Sequence, residues 1–400
     1  MEQMKKIKIL ELFGGIGACT KALTRLGFEV DVVDYVDNDK YAVASYNAIN
    51  NTNFKPQDIT CYYIDCDIKQ HFGEVDLIMH GSPCQDFSIA GKQAGGDINS
   101  GTRSSLMYET LRIVAQLNPK YVIWENVKNL LSAKHKHNFE SYIEYMDRLG
   151  YNSYYQVLNA KDYGIPQNRE RVFTVSIRED IDSGYEFPEK RPLEIRLKDL
   201  LDKEVDEKFY ISDKQIEKIK SSKFMQEKTR IQEKDVCDTL LARDYKDPKC
   251  IQVGTLDMKG HDCLKRVYSG EGLRSTLTTM GGGDTEPKII VKNATKKGYA
   301  EAFEGDSINL AYPQSKTRRG RIGKQLSQTL TTNDNMGVVV SQRIRKLTPK
   351  ECWRLMGFDD EDFERAEKVC SNTQLYKQAG NSIVVNVLEV ILDKLLHKRD

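Results

Sequence analysis

Short apolar runs alternate with helical stretches along residues 6–178, and this alternation most constrains the fold. The run IKILELF is followed by the glycine turn GGIG and by ACTKALTRLGF, which has helical spacing. The later runs VDVVDYVD, EVDLIMH, PKYVIWENV and RVFTVSI have the length of strands, and DKYAVASYNAIN predicts a second helix. The alternation predicts a doubly wound, mostly parallel α/β sheet, with ligands at the carboxyl ends of its strands.

Composition narrows the class of protein. With 39% hydrophobic residues the chain can bury a core, and its net charge of +1 leaves any nucleic-acid site to a local patch. The nine cysteines are scattered without metal-ligand spacing, which predicts reduced thiols and no metal. No apolar run reaches the roughly 18 residues of a membrane span, and no signal peptide is evident. We therefore expect a cytoplasmic protein.

The region 181–342 is rich in Lys, Asp, Thr and Gly and has few long apolar faces, which predicts a smaller β-rich domain. Three segments repeat a Thr-Leu pair, a polar turn and a β-branched run: TLLARDYKDPKCIQV (239–253), TLTTMGGGDTEPKIIV (276–291) and TLTTNDNMGVVV (329–340). They predict similar hairpins. Between the last two lies QSKTRRGRIGKQ, with five basic residues and no acidic one. This run is either a solvated face or a loop that contacts phosphates.

Apolar runs like those of residues 6–178 occur again in residues 343–400. There AGNSIVVNVLEVILDKLL predicts a helix beginning near Ser382. We expect this segment to pack back on the first domain. The predicted organisation is therefore the first part of an α/β domain at 1–180, a β-rich domain at 181–342, and a return segment at 343–400 that completes the α/β domain.

Polar residues at predicted strand ends suggest a ligand site. Gly14, Gly15 and Gly17 follow the first strand, where glycines let a nucleotide-like group approach the backbone. Asp37 ends the second strand, about 20 residues on, a position suited to ribose hydroxyls. Asp67 follows a third short segment. Taken singly, each acid is better explained as a solvated surface residue or a helix cap.

Cys84, in GSPCQDFS, follows a proline at the end of another strand. A lone cysteine is usually a small core residue, but these polar neighbours suit a core poorly. As a nucleophile it would need an electropositive site. Arg169 and Arg171 could provide one, and Glu125 ends a neighbouring strand.

Six motifs in order resemble the cytosine-C5 DNA methyltransferase family, of the bacterial or phage restriction-modification type. They cover about 6–178 and 343–400. The motifs are ELFGGIG, GSPCQDFSIAGKQ with GTRSSL, WENV, PQNRERVF, RKLTPKECWRLMGF and QAGNSIVVNVL. The resemblance implies that 1–180 and 343–400 form the catalytic and cofactor-binding domain, and that 181–342 is a DNA target-recognition domain inserted in it.

The resemblance implies the cofactor S-adenosylmethionine, released as S-adenosylhomocysteine, and assigns roles by position. Cys84 would attack cytosine C6, Glu125 would hold the Watson–Crick edge of the base, and Arg171 would hold O2 with Arg169 nearby. The implied cofactor-binding residues are Phe13, Gly14, Gly15, Gly17, Asp37, Asp67, Ile68, Pro83, Leu106, Asn381 and Ser382. The implied DNA-binding residues are Ser88, Lys92, Gln93, Arg103, Arg243, Arg318, Arg319 and Arg321.

Three positions depart from the family pattern. Glu11 replaces the usual Asp, Gly14 the usual Ala, and Asn38 an aromatic residue that often packs on adenine.

The predicted activity is sequence-specific methylation of cytosine C5 in double-stranded DNA, with the base flipped out of the helix. Two alternatives stay open: methylation of a tRNA cytosine, and an inactive DNA-binding relative. Amino-group methylation is disfavoured because it needs no covalent nucleophile, whereas this chain has Ser82-Pro83-Cys84. We expect a monomer on DNA, with a cognate restriction endonuclease as a further partner.

Overall fold

In the computed structural model, two units share the chain. The first comprises Met1–Ile195, Thr329–Asn333 and Pro349–Asp400, and the second Arg196–Gln328 and Asp334–Thr348. The structure describes the following stretches: 5–62, 67–83, 87, 95–97, 100–209, 252–255, 266–268, 289–296, 298–303, 305–310, 320–330, 336–340 and 343–396.

The bounds of these units fall elsewhere than the predicted 180 and 342. The first unit continues to Ile195, and residues 343–348 belong to the second. The reason is local pairing, because strand β16 (Arg343–Lys346) pairs antiparallel with β15 (Met336–Val340) and cannot leave that unit.

Six strands form the sheet of the first unit, in the order β2-β1-β3-β4-β7-β5. Their bounds are Lys6–Leu12 (β1), Glu29–Val36 (β2), Leu77–His80 (β3), Tyr121–Val127 (β4), Tyr151–Asn159 (β5) and Glu170–Arg178 (β7), with a two-residue strand β6 at Gln167–Asn168. The first four strands are parallel, whereas β7 runs antiparallel to both β4 and β5. The sheet is therefore mixed, and β5 is a strand that the sequence did not predict.

The strand order places a topological switch point between β1 and β3. The chain leaves β1 toward β2 on one side and returns to β3 on the other. Loops diverge at such a point and leave a crevice at the carboxyl ends of the strands, where ligands bind in open α/β sheets. The glycine loop follows β1 and the GSPC turn follows β3, so both border this crevice.

Nine helices of the first unit lie within the described residues: Ala18–Arg25 (α1), Lys40–Asn50 (α2), Ile68–Phe72 (α3), Met107–Leu117 (α4), Lys136–Arg148 (α5), Pro349–Arg354 (α6), Asp360–Ala366 (α7), Asn372–Asn381 (α8) and Val385–Leu396 (α9). The two helices predicted after β1 and β2 are confirmed as α1 and α2. Asp39 caps α2 by accepting from the Tyr41 N–H, as expected of an N-cap aspartate.

The C-terminal segment completes the first unit. Helix α9 packs against α1, and α7 packs against α2. The apolar residues Val387, Leu388, Ile391 and Leu395 of α9 are buried. The helix begins at Val385 rather than near Ser382, because Ser382 is the C-cap of α8.

The main core lies between the sheet and α3, α4 and α5. It includes Leu10, Ile78, Leu111, Trp124 and Tyr142, all almost fully buried. Burying an aromatic or large aliphatic side chain contributes roughly 1.5–3 kcal/mol. This core therefore fixes the strand ends that carry the site.

The second unit is built from β-strands and short 3₁₀ turns in the part that the structure describes. Its further strands are Gln252–Thr255 (β8), Arg266–Tyr268 (β9), Ile289–Lys292 (β10), Tyr299–Ala302 (β11), Ser307–Asn309 (β12), Ile322–Gly323 (β13) and Ser327–Gln328 (β14). β8 pairs with β9 and β10 with β11, and β13-β12-β15-β16 form an antiparallel sheet. A small core joins Val291, Ala302, Ile308 and Val339. β8, β10 and β15 fall on the closing apolar runs of the three repeats, whose turns lie outside the described residues.

Within the described stretches, no helix is both long and apolar enough to cross a lipid bilayer.

Candidate active site

The glycine loop after β1 has an unusual backbone. Phe13 has φ 54°, Gly15 φ 56° and Gly17 φ 84°, all in the left-handed region. That region strains a bulky residue such as Phe13, and such strain is concentrated at functional sites. A Cβ added at Gly15 would meet no atom within 4 Å. The backbone of Gly15 therefore borders open space that a ligand can enter.

Asp37 lies at the end of β2, beside this loop. Its carboxylate accepts hydrogen bonds from the Gly15 N–H (3.0 Å) and the Asp39 N–H (2.8 Å). Burial raises the pKa of Asp37, while these hydrogen bonds and the nearby Lys377 charge oppose that rise. Lys377 is itself paired with Asp39 at 2.7 Å. The predicted ribose-binding acid is thus hydrogen-bonded to the glycine loop. Asn38, next to it, is exposed.

Three predicted cofactor residues meet at one hydrophobic cluster. Ile68 is fully buried in it, and Phe13 and Leu106 pack against it. Asp67, which precedes Ile68, is the N-cap of α3 and accepts from the N–H groups of Lys69 and Gln70. The structure therefore places Ile68 in, and Phe13 and Leu106 against, the main core cluster, and it makes Asp67 a helix cap.

The turn after β3 is held by three side chains that the sequence did not single out. Trp124 Nε1 donates to Ser82 Oγ at 3.0 Å, and Asn126 Nδ2 donates to the Ser82 carbonyl at 3.4 Å. Ser104 Oγ donates to the Pro83 carbonyl at 2.9 Å. Cys84 itself lies outside the described residues. The two residues before it are nevertheless fixed by buried hydrogen bonds.

An uncharged aromatic layer lies beneath this turn. His80, the last residue of β3, is stacked on Trp124, and its Nε2 lies 3.0 Å from the Tyr142 hydroxyl. Burial lowers the pKa of His80 to about 3, so the ring is neutral at physiological pH. The layer supports the turn without adding a charge to it.

Glu125 and Arg171 form an ion pair in the crevice. They lie on the adjacent strands β4 and β7, with Arg171 Nε 3.0 Å from Glu125 Oε1. A Cβ added at Gly81 would lie 3.8 Å from Glu125 Oε2, so the pair is next to the start of the GSPC turn. The two predicted groups are brought together beside the segment that leads to Cys84.

Arg169 occupies a different environment from Arg171. It is buried, and its Nη2 donates to the Ser382 carbonyl at 2.7 Å. It also donates to the carbonyls of Gly380, at 3.3 Å, and Leu330, at 3.4 Å. Carbonyls in the last turn of a helix lack helical partners, so this cation satisfies the end of α8. The geometry makes Arg169 an anchor of the C-terminal segment, and its predicted place near the base stays a prediction.

The C-terminal segment reaches the same crevice. Ile383 Cδ1 lies 3.6 Å from the Cβ position of Gly81. Ser382 is buried, whereas Asn381, the last residue of α8, is exposed.

The predicted DNA contacts divide into three groups. Arg103 is exposed, in the 3₁₀ turn Arg103–Leu106. Arg321 is only 3% exposed, and this burial argues against the predicted phosphate contact. The others lie outside the described residues: Ser88, Lys92, Gln93, Arg243, Arg318 and Arg319.

The sheet and the residues grouped at its switch point define an α/β methyltransferase of the S-adenosylmethionine-dependent class. Solved structures share the fold. The Entamoeba histolytica methyltransferase EhMeth matches with a TM-score of 0.59 and 16% identity, over 99% of this chain and 100% of that chain. The S. pombe Dnmt2 methyltransferase matches with a TM-score of 0.57 and 18% identity, over 98% and 99%. At these identities the likeness concerns the fold alone.

Sequence comparison gives the family. The family model described as C-5 cytosine-specific DNA methylase matches residues 7–397. The orphan methyltransferase M.Rho11sI of Bacillus phage rho11s is 33% identical, over 98% of each chain. The type II methyltransferase M.HhaI of Haemophilus parahaemolyticus is 31% identical, over 98% of this chain and 94% of that one. The chain belongs to the C-5 cytosine-specific DNA methylases, which confirms the main prediction over its alternatives.

Proposed function

We propose that this protein methylates C5 of a cytosine within a specific double-stranded DNA sequence, with Cys84 as the nucleophile and S-adenosylmethionine as the methyl donor. The observation that carries the proposal is the Glu125–Arg171 pair, which lies beside Gly81 at the start of the GSPC turn. A buried acid and a cation close to a presented thiol are the groups that activation of cytosine requires.

The residues after β1 and β2 fit the cofactor. Gly15 borders open space, and the Asp37 carboxylate lies beside it at a strand end. We assign the methionine and adenosine parts to Phe13, Gly15 and Gly17, the ribose hydroxyls to Asp37, and the adenine to the cluster of Ile68 and Leu106. Asp67 would bind adenine while it caps α3, and Gly14, Pro83, Asn381 and Ser382 would complete the pocket. When bound, the cofactor supplies an electrophilic sulfonium methyl group.

Cytosine C5 alone is too weak a nucleophile to accept this methyl group. Addition of the Cys84 thiolate to C6 turns the ring into an enamine that is nucleophilic at C5. Glu125, protonated in the complex with the base, delivers this proton to N3 and neutralises the charge that develops there. Arg171, which pairs with the Glu125 carboxylate in the ligand-free protein, donates to O2 of the base. After methyl transfer, a base removes the C5 proton and the thiolate leaves C6.

Neither face of a stacked base admits this addition, so the target cytosine must leave the duplex. We assign base recognition to the second unit, and DNA contacts around the flipped base to Ser88, Lys92, Gln93 and Arg103. Arg243 would contribute from the first repeat. We further propose a monomer on DNA, a bacterial cytoplasmic location, and a cognate restriction endonuclease as partner.

Covalent trapping tests the proposal. With S-adenosylmethionine present, methyl transfer to 5-fluorocytosine leaves fluorine and methyl on C5 and no proton to remove, so the enzyme should remain bound through Cys84. We expect the adduct with the wild type and with Cys61→Ser, which removes an exposed free thiol. Cys84→Ser should form no adduct, although it still binds DNA. The target itself comes from bisulfite sequencing of a methylation-free host that expresses the protein.

An adduct of undiminished yield with Cys84→Ser would exclude Cys84 as the nucleophile. Absence of any adduct with an enzyme that still methylates DNA would exclude covalent attack.

A further inference from the structure

Tyr35 lies directly behind the glycine loop. It is fully buried near the end of β2, and its hydroxyl donates to the Gly15 carbonyl at 2.6 Å. Its ring is stacked on that of Tyr46, with centroids 3.9 Å apart and 29° between the planes. The two rings form a platform, Tyr35 and Tyr46, on which the loop rests.

The platform leaves no room for a side chain at position 14. A Cβ there would lie 2.6 Å from Tyr35 Cε2 and 2.8 Å from Tyr35 Cδ2. The backbone of Gly14 is not among those with positive φ, so its conformation suits any residue. Glu11 Oε2 would lie at 3.1 Å, a contact that a small shift relieves. Because a ring in a buried stack has little freedom to shift, Tyr35 is the main restriction on a side chain at position 14.

Gly15 is held by one residue near the end of β2 and by one just after it. Its carbonyl accepts from Tyr35, and its N–H donates to Asp37, which directly follows the strand. Both backbone polar groups of Gly15 are therefore already bonded, which fixes the orientation of the two peptide groups that flank it. Its open Cα face is the part left for a ligand.

We propose that Tyr35 is a positioning residue for S-adenosylmethionine, which sets the height and orientation of the Gly14–Gly15 backbone and makes positions 14 and 35 energetically coupled. The inference rests on the proposed cofactor site. The pairing of Gly14 with Tyr35 also gives a physical reason why alanine is absent from this loop.

A double-mutant cycle measures the coupling, with the Kd of S-adenosylhomocysteine determined by calorimetry without DNA. Gly14→Ala should weaken binding by about tenfold or more, because the ring displaces the loop. In a Tyr35→Ala background, which removes the ring, the same Gly14→Ala step should change the Kd by less than about twofold. Tyr35→Phe keeps the ring and removes only the hydroxyl, so binding should weaken by about fivefold.

Gly15→Ala is the matched control. Its cost arises from φ 56° and not from a neighbouring atom, so Tyr35→Ala should not relieve it. The unfolding of each ligand-free variant is measured in parallel. The clash should also appear there as a Gly14→Ala destabilisation that Tyr35→Ala relieves. If Tyr35→Ala does not fold, Tyr35→Val takes its place.

Equal losses from Gly14→Ala in both backgrounds, or wild-type affinity in Gly14→Ala alone, would overturn the inference. A wild-type protein that binds no S-adenosylhomocysteine would instead contradict the proposed cofactor, whereas a null cycle with a binding-competent wild type refutes only the role of Tyr35.

Discussion

Glu11 is a single buried residue that makes the stability of the packing around the glycine loop depend on pH. Its carboxylate is fully buried and accepts from the Thr20 N–H at 2.8 Å and from Thr20 Oγ1 at 2.5 Å. Thr20 Oγ1 is also 3.2 Å from the Tyr46 hydroxyl, so Glu11 is connected to the platform. Burial raises the pKa of Glu11 to about 7, and the hydrogen bonds from Thr20 only partly offset this. Near neutral pH, the native protein therefore holds a proton there that the unfolded chain releases.

The raised pKa predicts the sign of a pH effect. An acid that is harder to ionise in the native state destabilises that state as pH rises from about 4.5 to about 7. Glu11→Gln stays neutral and can still accept from Thr20. Its advantage in unfolding free energy over the wild type should therefore grow by about 2–3 kcal/mol between pH 5 and pH 8.5. Urea unfolding at both pH values measures this.

Glu367→Gln, at an exposed position, serves as the control and should leave the difference from the wild type nearly constant with pH. A constant difference for Glu11→Gln as well would show that Glu11 ionises normally in the folded protein.

At the scale of elements, a hydrogen bond joins the GSPC turn after β3 to Ser104, which follows the loop that begins at Cys84. Ser104 follows the loop and donates to the Pro83 carbonyl, which precedes Cys84. Ser104 is fully buried, so its hydroxyl has little freedom to turn elsewhere. The hydrogen bond joins the two ends of the segment that carries the nucleophile.

Ser104→Ala should slow formation of the 5-fluorocytosine adduct by about tenfold, because the turn presents Cys84 less accurately. The Kd of S-adenosylhomocysteine should stay within about twofold of wild type. Ser105→Ala is the matched control, since its hydroxyl donates to the Thr102 carbonyl and not to the turn. Equal adduct rates in Ser104→Ala and wild type would show that the turn does not need this bond.

The strands of the first unit differ in how far the sequence alone predicts them. β1 to β4 were predictable because each is a short apolar run, and the runs of β1 and β2 are also followed by helical stretches. β5, with the sequence YNSYYQVLN, lies at the sheet edge and is mostly part-exposed, so it lacks a buried apolar run. The antiparallel direction of β7 depends on its pairing with β4 and β5, and no local pattern encodes that pairing.

For the whole molecule, the motifs predicted which strand ends carry the candidate site. The contacts of individual residues there depend on packing between segments that are far apart in the sequence. Arg169 and Arg171 are two residues apart in one motif, which implied that Arg171 holds O2 of the base with Arg169 nearby. Arg171 meets Glu125, whereas Arg169 binds carbonyls more than 160 residues away, at Leu330 and Ser382. Tyr35 was likewise hidden, because its role depends on the glycine loop folding onto its ring. Such contacts exist only once the chain is closed.

Burial also separates the arginines that were predicted to bind DNA. The basic run 314–325 suggested three arginines on phosphates, yet Arg321 is buried in the second unit. Arg318 and Arg319 lie outside the described residues and keep the predicted contact. Arg318→Ala with Arg319→Ala should weaken DNA binding and reduce the slope of log affinity against log salt by about 2, since each phosphate contact releases about one counterion.

Arg321→Ala provides the contrast. Truncating a buried arginine leaves its partner groups unsatisfied, so the free energy of unfolding should fall by about 2 kcal/mol or more, with the salt slope unchanged. Fluorescence anisotropy across a salt series, together with urea unfolding, separates the two effects. A slope that falls with Arg321→Ala and not with the Arg318 and Arg319 pair would mean that the buried arginine emerges to meet DNA.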